Sequence, residues 1–353
     1  MMTELEQKIK AFADDYYNGN EQITDKEYDN LIAQLRVETP DSPLLDAICG
    51  EDKHIDGFKK GTHYLITGTL AKLRDEQELR EWFGKHPGTY FVEFKVDGAG
   101  LELKYQNGQL IEAVTRGDGD NGDIITDNIR KIATVPQQLK DQFTGSIRGE
   151  VILYHNNFKK FFSDKANPRN ATAGCMKHLD GSDCEKLNFI AYDVKDPAGI
   201  IDASEQQKLD FLQQNGFVIP AYKVFSDVES ILNWRAEIAA KRDSIDYDID
   251  GIVLKSAVSN PADLMNHTPK FSQVALKFDL AAAITKVIAI SWSLSGTYMT
   301  PVAEVEPVYL DGTTVVHANL FNCSIMRDLG VKVGSTVVVV KKGQIIPYIE
   351  KVL

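Results

Sequence analysis

From Tyr90 the chain alternates apolar and polar positions with a period of two. Tyr90–Val96 and Leu101–Tyr105 therefore read as strands, and Asn107-Gly108 makes a hairpin turn ahead of a third, Leu110–Thr115. Residues 146–153, 187–194, 247–255 and 273–279 are further strand candidates. The first 60 residues instead show helical spacing: Thr24-Asp25-Lys26-Glu27 is a capping box, followed by Tyr28, Leu31, Ile32 and Leu35, and closed by Pro40 and Pro43. The spacing predicts a further helix over 74–83, ended by Gly84, and another starting at the Ser226…Glu229 capping box. After residue 280 the texture is all-β. Lys286–Trp292, Val302–Tyr309, Thr313–His317 and Ser335–Lys341 are short β-branched runs that fit a small barrel such as an OB-fold, or another small β-domain.

At 353 residues the chain exceeds what one core usually supports, so an α+β domain over roughly 70–280 is expected with smaller units on either side. No apolar run reaches the ~20 residues of a membrane span, and the N-terminus is not a signal peptide. Cys49, Cys175, Cys184 and Cys323 form no C-x-x-C pair, which argues against a structural zinc site and for a reducing cytoplasm. The net charge of -12 is unlike that of a protein that coats nucleic acid. Residues 1–60, however, hold 14 Asp/Glu against 7 Lys/Arg, whereas residues 280–353 hold 5 against 6. Phosphate binding elsewhere would rest on local basic sites and weaken with salt.

The main chemical signal is Lys95-Val96-Asp97-Gly98. On a strand Glu93, Lys95 and Asp97 share one face while Val92, Phe94 and Val96 share the other, which suggests a polar pocket over a core or, equally, a charged solvent face. A lysine nucleophile must lose its proton near neutral pH, so it needs desolvation or nearby positive charge. Arg116, Arg148, Lys255 and Lys277 are candidate neighbours, each of which could instead be a surface ion-pair partner. Thr115-Arg116-Gly117-Asp118-Gly119 is a turn suited to close approach by a ribose or phosphate. Arg148-Gly149-Glu150 places a cation and an acid on one face, Asp250–Lys255 is an apolar strand opened by an acid and closed by a base, and Ala275-Leu276-Lys277-Phe278 adds another lysine.

That ordered set resembles the NAD+-dependent DNA ligases. Asn167-Pro168-Arg169-Asn170-Ala171-Thr172-Ala173-Gly174 is similar to the family's N-P-R-N-x-x-A-G stretch. Met299–Ala303, Ala318–Leu320 and Gly343–Pro347 resemble its OB domain, and Tyr16-Tyr17 with Asp25, Tyr28 and Asp29 resembles the helical segment that grips the nicotinamide mononucleotide (NMN) half of NAD+. The resemblance implies an ATP-grasp-like α+β nucleotidyltransferase with an N-terminal helical subdomain (1–62), an adenylation domain (63–280) and an all-β OB-fold barrel (281–353). It also implies that Lys95 attacks the α-phosphorus of NAD+ and passes AMP to the 5′-phosphate of nicked duplex DNA. Catalytic roles then fall to Lys95, Asp97, Lys255 and Lys277. Nucleotide contacts fall to Tyr16, Tyr17, Asp25, Tyr28, Asp29, Thr69, Leu70, Glu93, Arg116, Arg148, Glu150, Tyr192, Lys255 and Lys277, and magnesium to Asp97 and Glu150.

Three positions depart from the family pattern. Lys177 stands where Arg is common, Ile66–Leu70 replaces Pro-Met-x-Ser-Leu, and the OB domain's early Arg is missing from Ser291–Gly296. The family continues into zinc, helix-hairpin-helix and BRCT modules beyond the barrel, so the chain reads as a piece of a longer protein or as a minimal, viral-type ligase. Either way a cytoplasmic monomer is expected, with competent self-adenylylation and weak, salt-sensitive sealing unless a separate chain supplies those modules. The rival readings are an ATP-dependent polynucleotide ligase, which lacks the Tyr-Tyr segment, and a partner-dependent, non-sealing subunit.

Overall fold

A computed structural model describes residues 3–17, 31, 32, 34, 35, 38, 39, 42, 44, 57–64, 68–165, 167–196, 204–258, 272–278, 282–295, 298–310, 313–342 and 346–353, with backbone alone at 13–17, 293–295, 298, 299, 342 and 346. The chain divides into two units, 46–278 and the pair of segments 1–45 and 279–353.

The 46–278 unit is built on two antiparallel-rich sheets. The first has four strands in the order β5 (Gln109–Thr115), β4 (Ala99–Gln106), β7 (Gly145–Ile152), β8 (Asn188–Lys195). The second has five, in the order β2 (Ala71–Leu73), β11 (Gln273–Lys277), β10 (Ile249–Ser256), β3 (Tyr90–Val96), β9 (Tyr222–Phe225). A two-stranded ribbon, β1 (Lys60–Thr62) with β6 (Asn121–Asp123), completes the strands of this unit among the described residues. Asn107 and Gly108 join β4 to β5 with φ of 50° and 78°, the paired positive values of a tight hairpin.

Each sheet buries one face under helices. The four-stranded sheet packs Leu103, Ile147 and Phe189 against Ile129 of α3 (Thr126–Ile129), Cys175 of α5 (Pro168–Met176) and Leu212 of α6 (Glu205–Gln214). The five-stranded sheet packs Val92, Ile252 and Leu276 against Leu79 of α2 (Glu76–Lys85) and Ile231 of α7 (Val228–Lys241). Full burial of one such side chain stabilises by roughly 1.5–3 kcal/mol. The sheets meet through Val96, Ile152 and Ile190, beside the turn Asp97-Gly98 that carries the chain from one to the other. A Cβ on Gly98 would lie 2.3 Å from the carbonyl oxygen of Val151, so the turn admits no side chain there.

Helix boundaries differ from expectation in two places. Gly84 lies inside α2, because the backbone N–H of His86 still reaches the carbonyls of Trp82 and Phe83. The cap of α7 is Asp227, which accepts from the Ser230 N–H, while Ser226 pairs with Thr89 at 2.9 Å. The Asp227 carboxylate is the stronger partner for the orphan donors, and Ser226 is free to tie the helix start to the sheet. In the same 46–278 unit α4 (His155–Phe161) precedes α5.

The barrel is closed in the order β12 (Ala282–Ser295), β13 (Tyr298–Leu310), β14 (Thr313–Asn319), β16 (Ile346–Val352), β15 (Thr336–Lys342). Its first two strands are nearly twice as long as the hydrophobic runs suggested. The strand β16 and the short helix α8 (Cys323–Leu329) were not apparent in the pattern. Val287, Val305, Leu320, Val337 and Ile349 fill the interior.

In the N-terminal segment α1 spans Glu4–Tyr17, started by a reciprocal box in which Thr3 N donates to Glu6 Oε2 and Glu6 N to Thr3 Oγ1. Leu31, Ile32, Gln34, Leu35 and Glu38 also have helical backbone. The Thr24–Glu27 box lies outside the described residues.

Candidate active site

The polar face of β3 opens onto neighbours from four other strands. Lys95 Nζ lies 2.8 and 3.0 Å from the two carboxylate oxygens of Asp250, and Lys277 Nζ lies 3.2 Å from Asp250 Oδ2. The register explains the convergence, since Gly251 of β10 is paired with Lys95 on one side and with Lys277 on the other. A Cβ at Gly251 would come within 2.4 Å of the Leu276 carbonyl oxygen, so the two strands close over a bare backbone. The β3–β10 ladder shifts between Ile249 and Gly251, which leaves Asp250 as the extra residue of a β-bulge. The bulge turns the Asp250 carboxylate out of the hydrophobic face and toward the lysines. Burial pushes the Asp250 carboxyl up, but Lys95 and Lys277 more than offset this and hold it below the usual carboxylate range.

Across the cleft, Glu150 of β7 lies opposite Gly100 of β4, and Arg116 follows β5. Burial pushes the Glu150 carboxyl up to about 7, against the pull of Arg169, Lys95 and Arg116, with Asp97 pushing it further up. These five groups therefore share one electrostatic environment. Arg116 Nε and Nη2 are buried without a hydrogen-bond partner among the described residues. Two unused guanidinium donors beside a lysine suit a phosphate or ribose oxygen. Arg116 is held by its backbone: its carbonyl faces His63 Nε2 at 2.9 Å, and His63 Nδ1 lies 2.8 Å from Glu102.

Asp97 is paired at 2.5 Å with Arg169 Nη1. The reason lies in α5, where Asn167 caps the helix by accepting from the Asn170 N–H and Pro168 occupies the first turn. Arg169 thus projects from the helix start toward the end of β3. Lys177, where the family often has Arg, is the C-cap of the same helix.

Glu93 and Lys255 form a deeper, buried pair at 2.9 Å. Lys255 Nζ also donates to the Tyr192 carbonyl and lies 5.5 Å from the centre of the Tyr192 ring. Tyr192 is itself the extra residue of a bulge, because Arg148 pairs with Asp193 and Gly149 with Ala191. Burial pushes Glu93 up to about 7, with Lys255 pulling it down and Glu205 pushing it up.

The structure thus brings Lys95, Asp97, Arg116, Glu150 and Lys277 into one polar cleft, with Glu93, Tyr192 and Lys255 adjoining it. Arg148 points instead to Glu102 at 3.6 Å, and Lys255 is surrounded by carboxylates. The expected crowd of cations around Lys95 is therefore an alternation of both signs. Thr69 and Leu70 are half-buried just ahead of β2. Tyr16 and Tyr17 end α1 with only their backbone described, and Asp25, Tyr28 and Asp29 lie outside the described residues.

Two site groups escaped the sequence-based list of functional residues. In the sequence Asp250 reads only as the acid that opens its strand, and Arg169 only as part of a motif. A signal for the first does exist, since Ile249, Ile252 and Leu254 are apolar at a spacing of three and then two, the mark of an inserted residue. For Arg169 it was the Asn-Pro cap that aims it.

Magnesium fits the cleft in a limited way. No group of three or more His, Cys, Asp or Glu side chains is arranged to hold a metal among the described residues. Asp97 and Glu150 repel each other there, and an ion bound by one or two carboxylates with phosphate oxygens and water would relieve this.

The NAD-dependent DNA ligase adenylation-domain family matches residues 56–282, and the NAD-dependent DNA ligase OB-fold family matches residues 284–353. A DNA ligase of Treponema denticola is 40% identical over 364 residues, covering 98% of this chain and 56% of that protein. One from Treponema pallidum is 36% identical, covering 98% of this chain and 44% of that protein. The chain thus spans about half the length of these curated relatives. Among solved structures, one titled as a structure-function analysis of Lig E DNA ligases has a TM-score of 0.47 and 15% identity, covering 81% of this chain and 99% of that one. No helix among the described residues is long and apolar enough to cross a membrane. With both family matches covering almost all of residues 56–353, the chain belongs to the NAD-dependent DNA ligase family.

Proposed function

We propose that this chain transfers AMP from NAD+ to Lys95 and then to the 5′-phosphate of nicked duplex DNA, where the 3′-hydroxyl closes the phosphodiester. The observation that carries this reading is Lys95 Nζ held on the Asp250 carboxylate that also holds Lys277, with the unpartnered donors of Arg116 in the same cluster around Glu150. Lys95 Nζ forms the bond to the α-phosphorus as NMN leaves with the bonding electrons, and the lysine gives up a proton in the same overall step. Asp250 is the base nearest to Lys95 among the described residues, and Arg116 and Lys277 meet the charge that builds on the phosphate oxygens. Glu93 accepts from the adenine amino group, Tyr192 stacks on the base and Glu150 bonds the ribose. Asp97 and Glu150 would hold magnesium with the phosphates, where the ion supplies further charge neutralisation.

The division into 1–62, 63–280 and 281–353 follows from the same reading. The first segment would cover the nicotinamide half of NAD+ through Tyr16, Tyr17, Asp25, Tyr28 and Asp29, with Thr69 and Leu70 lining the adenine pocket. The barrel would meet DNA. A cytoplasmic monomer is the state that goes with this reading.

The test is the intact mass of AMP-free protein after incubation with magnesium and either NAD+ or ATP, with Lys95→Ala alongside. AMP gained from NAD+ alone, and lost in the variant, is the expected result. An adduct from ATP would move the chain to ATP-dependent chemistry, and none from either would favour a partner-dependent subunit.

A further inference from the structure

Behind the cleft lies a buried network of six charged side chains, from β3, β8, β10 and α6. They are Glu93, Asp193, Lys195, Glu205, Lys208 and Lys255. Lys255 Nζ lies 2.9 Å from Glu93 Oε1 and 3.2 Å from Glu205 Oε1. The other oxygen of Glu205 is 3.7 Å from Lys208 Nζ, which also lies 3.0 Å from Asp193, and Lys195 lies 3.2 Å from Asp193. Glu205 is thus the link between the Glu93–Lys255 pair and the Asp193 cluster. Buried ions each cost several kcal/mol to desolvate, and apolar packing of equal volume is often as stable, so such a network is weak evidence for stability alone. None of the sequence motifs contains Glu205 or Lys208.

We propose that Glu205 is a positioning residue of the adenylylation site, fixing Lys255 so that Glu93 and the Tyr192 ring are presented to the adenine. This rests on the proposed function. Without Glu205, a larger share of the Lys255 donors would turn to Glu93 and occupy the acceptor sites that the adenine amino group requires. Glu205 draws the ammonium back, and the Tyr192 carbonyl takes a further donor. The negative charge of Glu205 also pushes the Glu93 carboxyl up, so its removal lets Glu93 ionise at lower pH.

The experiment compares wild type, Glu205→Gln and Glu205→Asp. Three readouts are taken: AMP transfer to Lys95 against NAD+ concentration and pH, affinity of AMP-free protein for AMP by calorimetry, and thermal stability. For Glu205→Gln the half-saturating NAD+ should rise about tenfold while the saturating rate changes by less than about threefold, and AMP affinity should fall about tenfold. The acid limb of the rate should move to lower pH, and Glu205→Asp should restore that limb. Lowered stability with unchanged NAD+ dependence, pH limb and AMP affinity would overturn the proposal. Should Glu205→Gln fail to fold, Glu205→Asp decides through AMP affinity and half-saturating NAD+, which stay at wild-type values if geometry at this position is immaterial. If wild type takes no AMP from NAD+, the functional reading fails by itself. The AMP affinities still judge Glu205, and equal values in all three proteins would overturn its role.

Discussion

Lys95 and Lys277 sit on strands separated by β10, yet both face Gly251 in the ladder and both end on the Asp250 carboxylate. One acid therefore sets the spacing of two cations, and the Lys95 nitrogen is held where a second positive group is already in place. Replacing Asp250 with Asn should keep the volume but release both lysines. Displacement of reacting groups by about 1 Å can cost on the order of 100-fold, so AMP transfer to Lys95 should fall about 10- to 100-fold. Single-turnover adenylylation followed by mass would show this, and a wild-type rate in the variant would remove Asp250 from the mechanism.

Gly251→Ala should be costly for a different reason. The new methyl would meet the Leu276 carbonyl oxygen at 2.4 Å and the Lys277 Cα at 2.7 Å, both of them backbone. Strand β11 has to shift, at a cost of about 1–3 kcal/mol, which urea unfolding measures directly. An unchanged midpoint would mean that the two strands separate freely at this point.

The Glu150 carboxyl predicts a pH dependence of stability. Its folded value of about 7 exceeds the ordinary 4.5, so between these values the folded state holds a proton that the unfolded chain releases. Stability from this group therefore falls as pH rises through that window and is level above it. Glu150→Gln removes the effect. Relative to the variant, the wild type should lose on the order of 1–3 kcal/mol between about pH 4.5 and about pH 7.5. Parallel stability curves for the two proteins would contradict the assignment.

Glu102 behaves in the opposite sense. Burial raises its carboxyl, but His63, Arg148 and Ser146 together hold it below the ordinary range. Its contribution is therefore complete above the unfolded value and lost as pH falls through the lower folded one. Glu102→Gln should cost about 1–3 kcal/mol at neutral pH, with the gap to wild type closing under acid conditions. Because His63 also faces the Arg116 carbonyl, the variant should lower the affinity for AMP in the same preparation. Affinity equal to wild type would show that Arg116 keeps its place without this support.

Much of the fold was legible because its strands obey regular alternation. Tyr90–Val96 was bounded as found, and the strands from 99 to 115 and from 145 to 152 were located within two residues. The chemistry was harder to place. Asp250 and Lys255 are five residues apart, which on a regular strand puts them on opposite faces. Both reach the polar side only because the bulge shifts the phase of β10 by one residue. Tyr192 depends on a similar shift in β8. Lys255 was expected to meet phosphate, but its buried carboxylate partners come from Glu93 and from a helix more than 40 residues distant in sequence, a pairing that no local pattern encodes. Where resemblance supplied the residues, the structure added their mutual orientation.

Closure of the C-terminal barrel limits how other molecules can be recognised there. A sheet with free edges can accept an extra strand through its backbone; here four neighbouring pairs form antiparallel ladders of several residues, whereas β14 meets β16 at the single described pair Asn319–Tyr348. Outside that seam recognition would rest on side chains of the outer surface, where Trp292 and Tyr309 are 44% and 72% exposed. Flat, rigid rings of this kind offer contact area with little loss of rotamer freedom. Strand addition is thus confined to the β14–β16 seam, and elsewhere the barrel presents side chains alone.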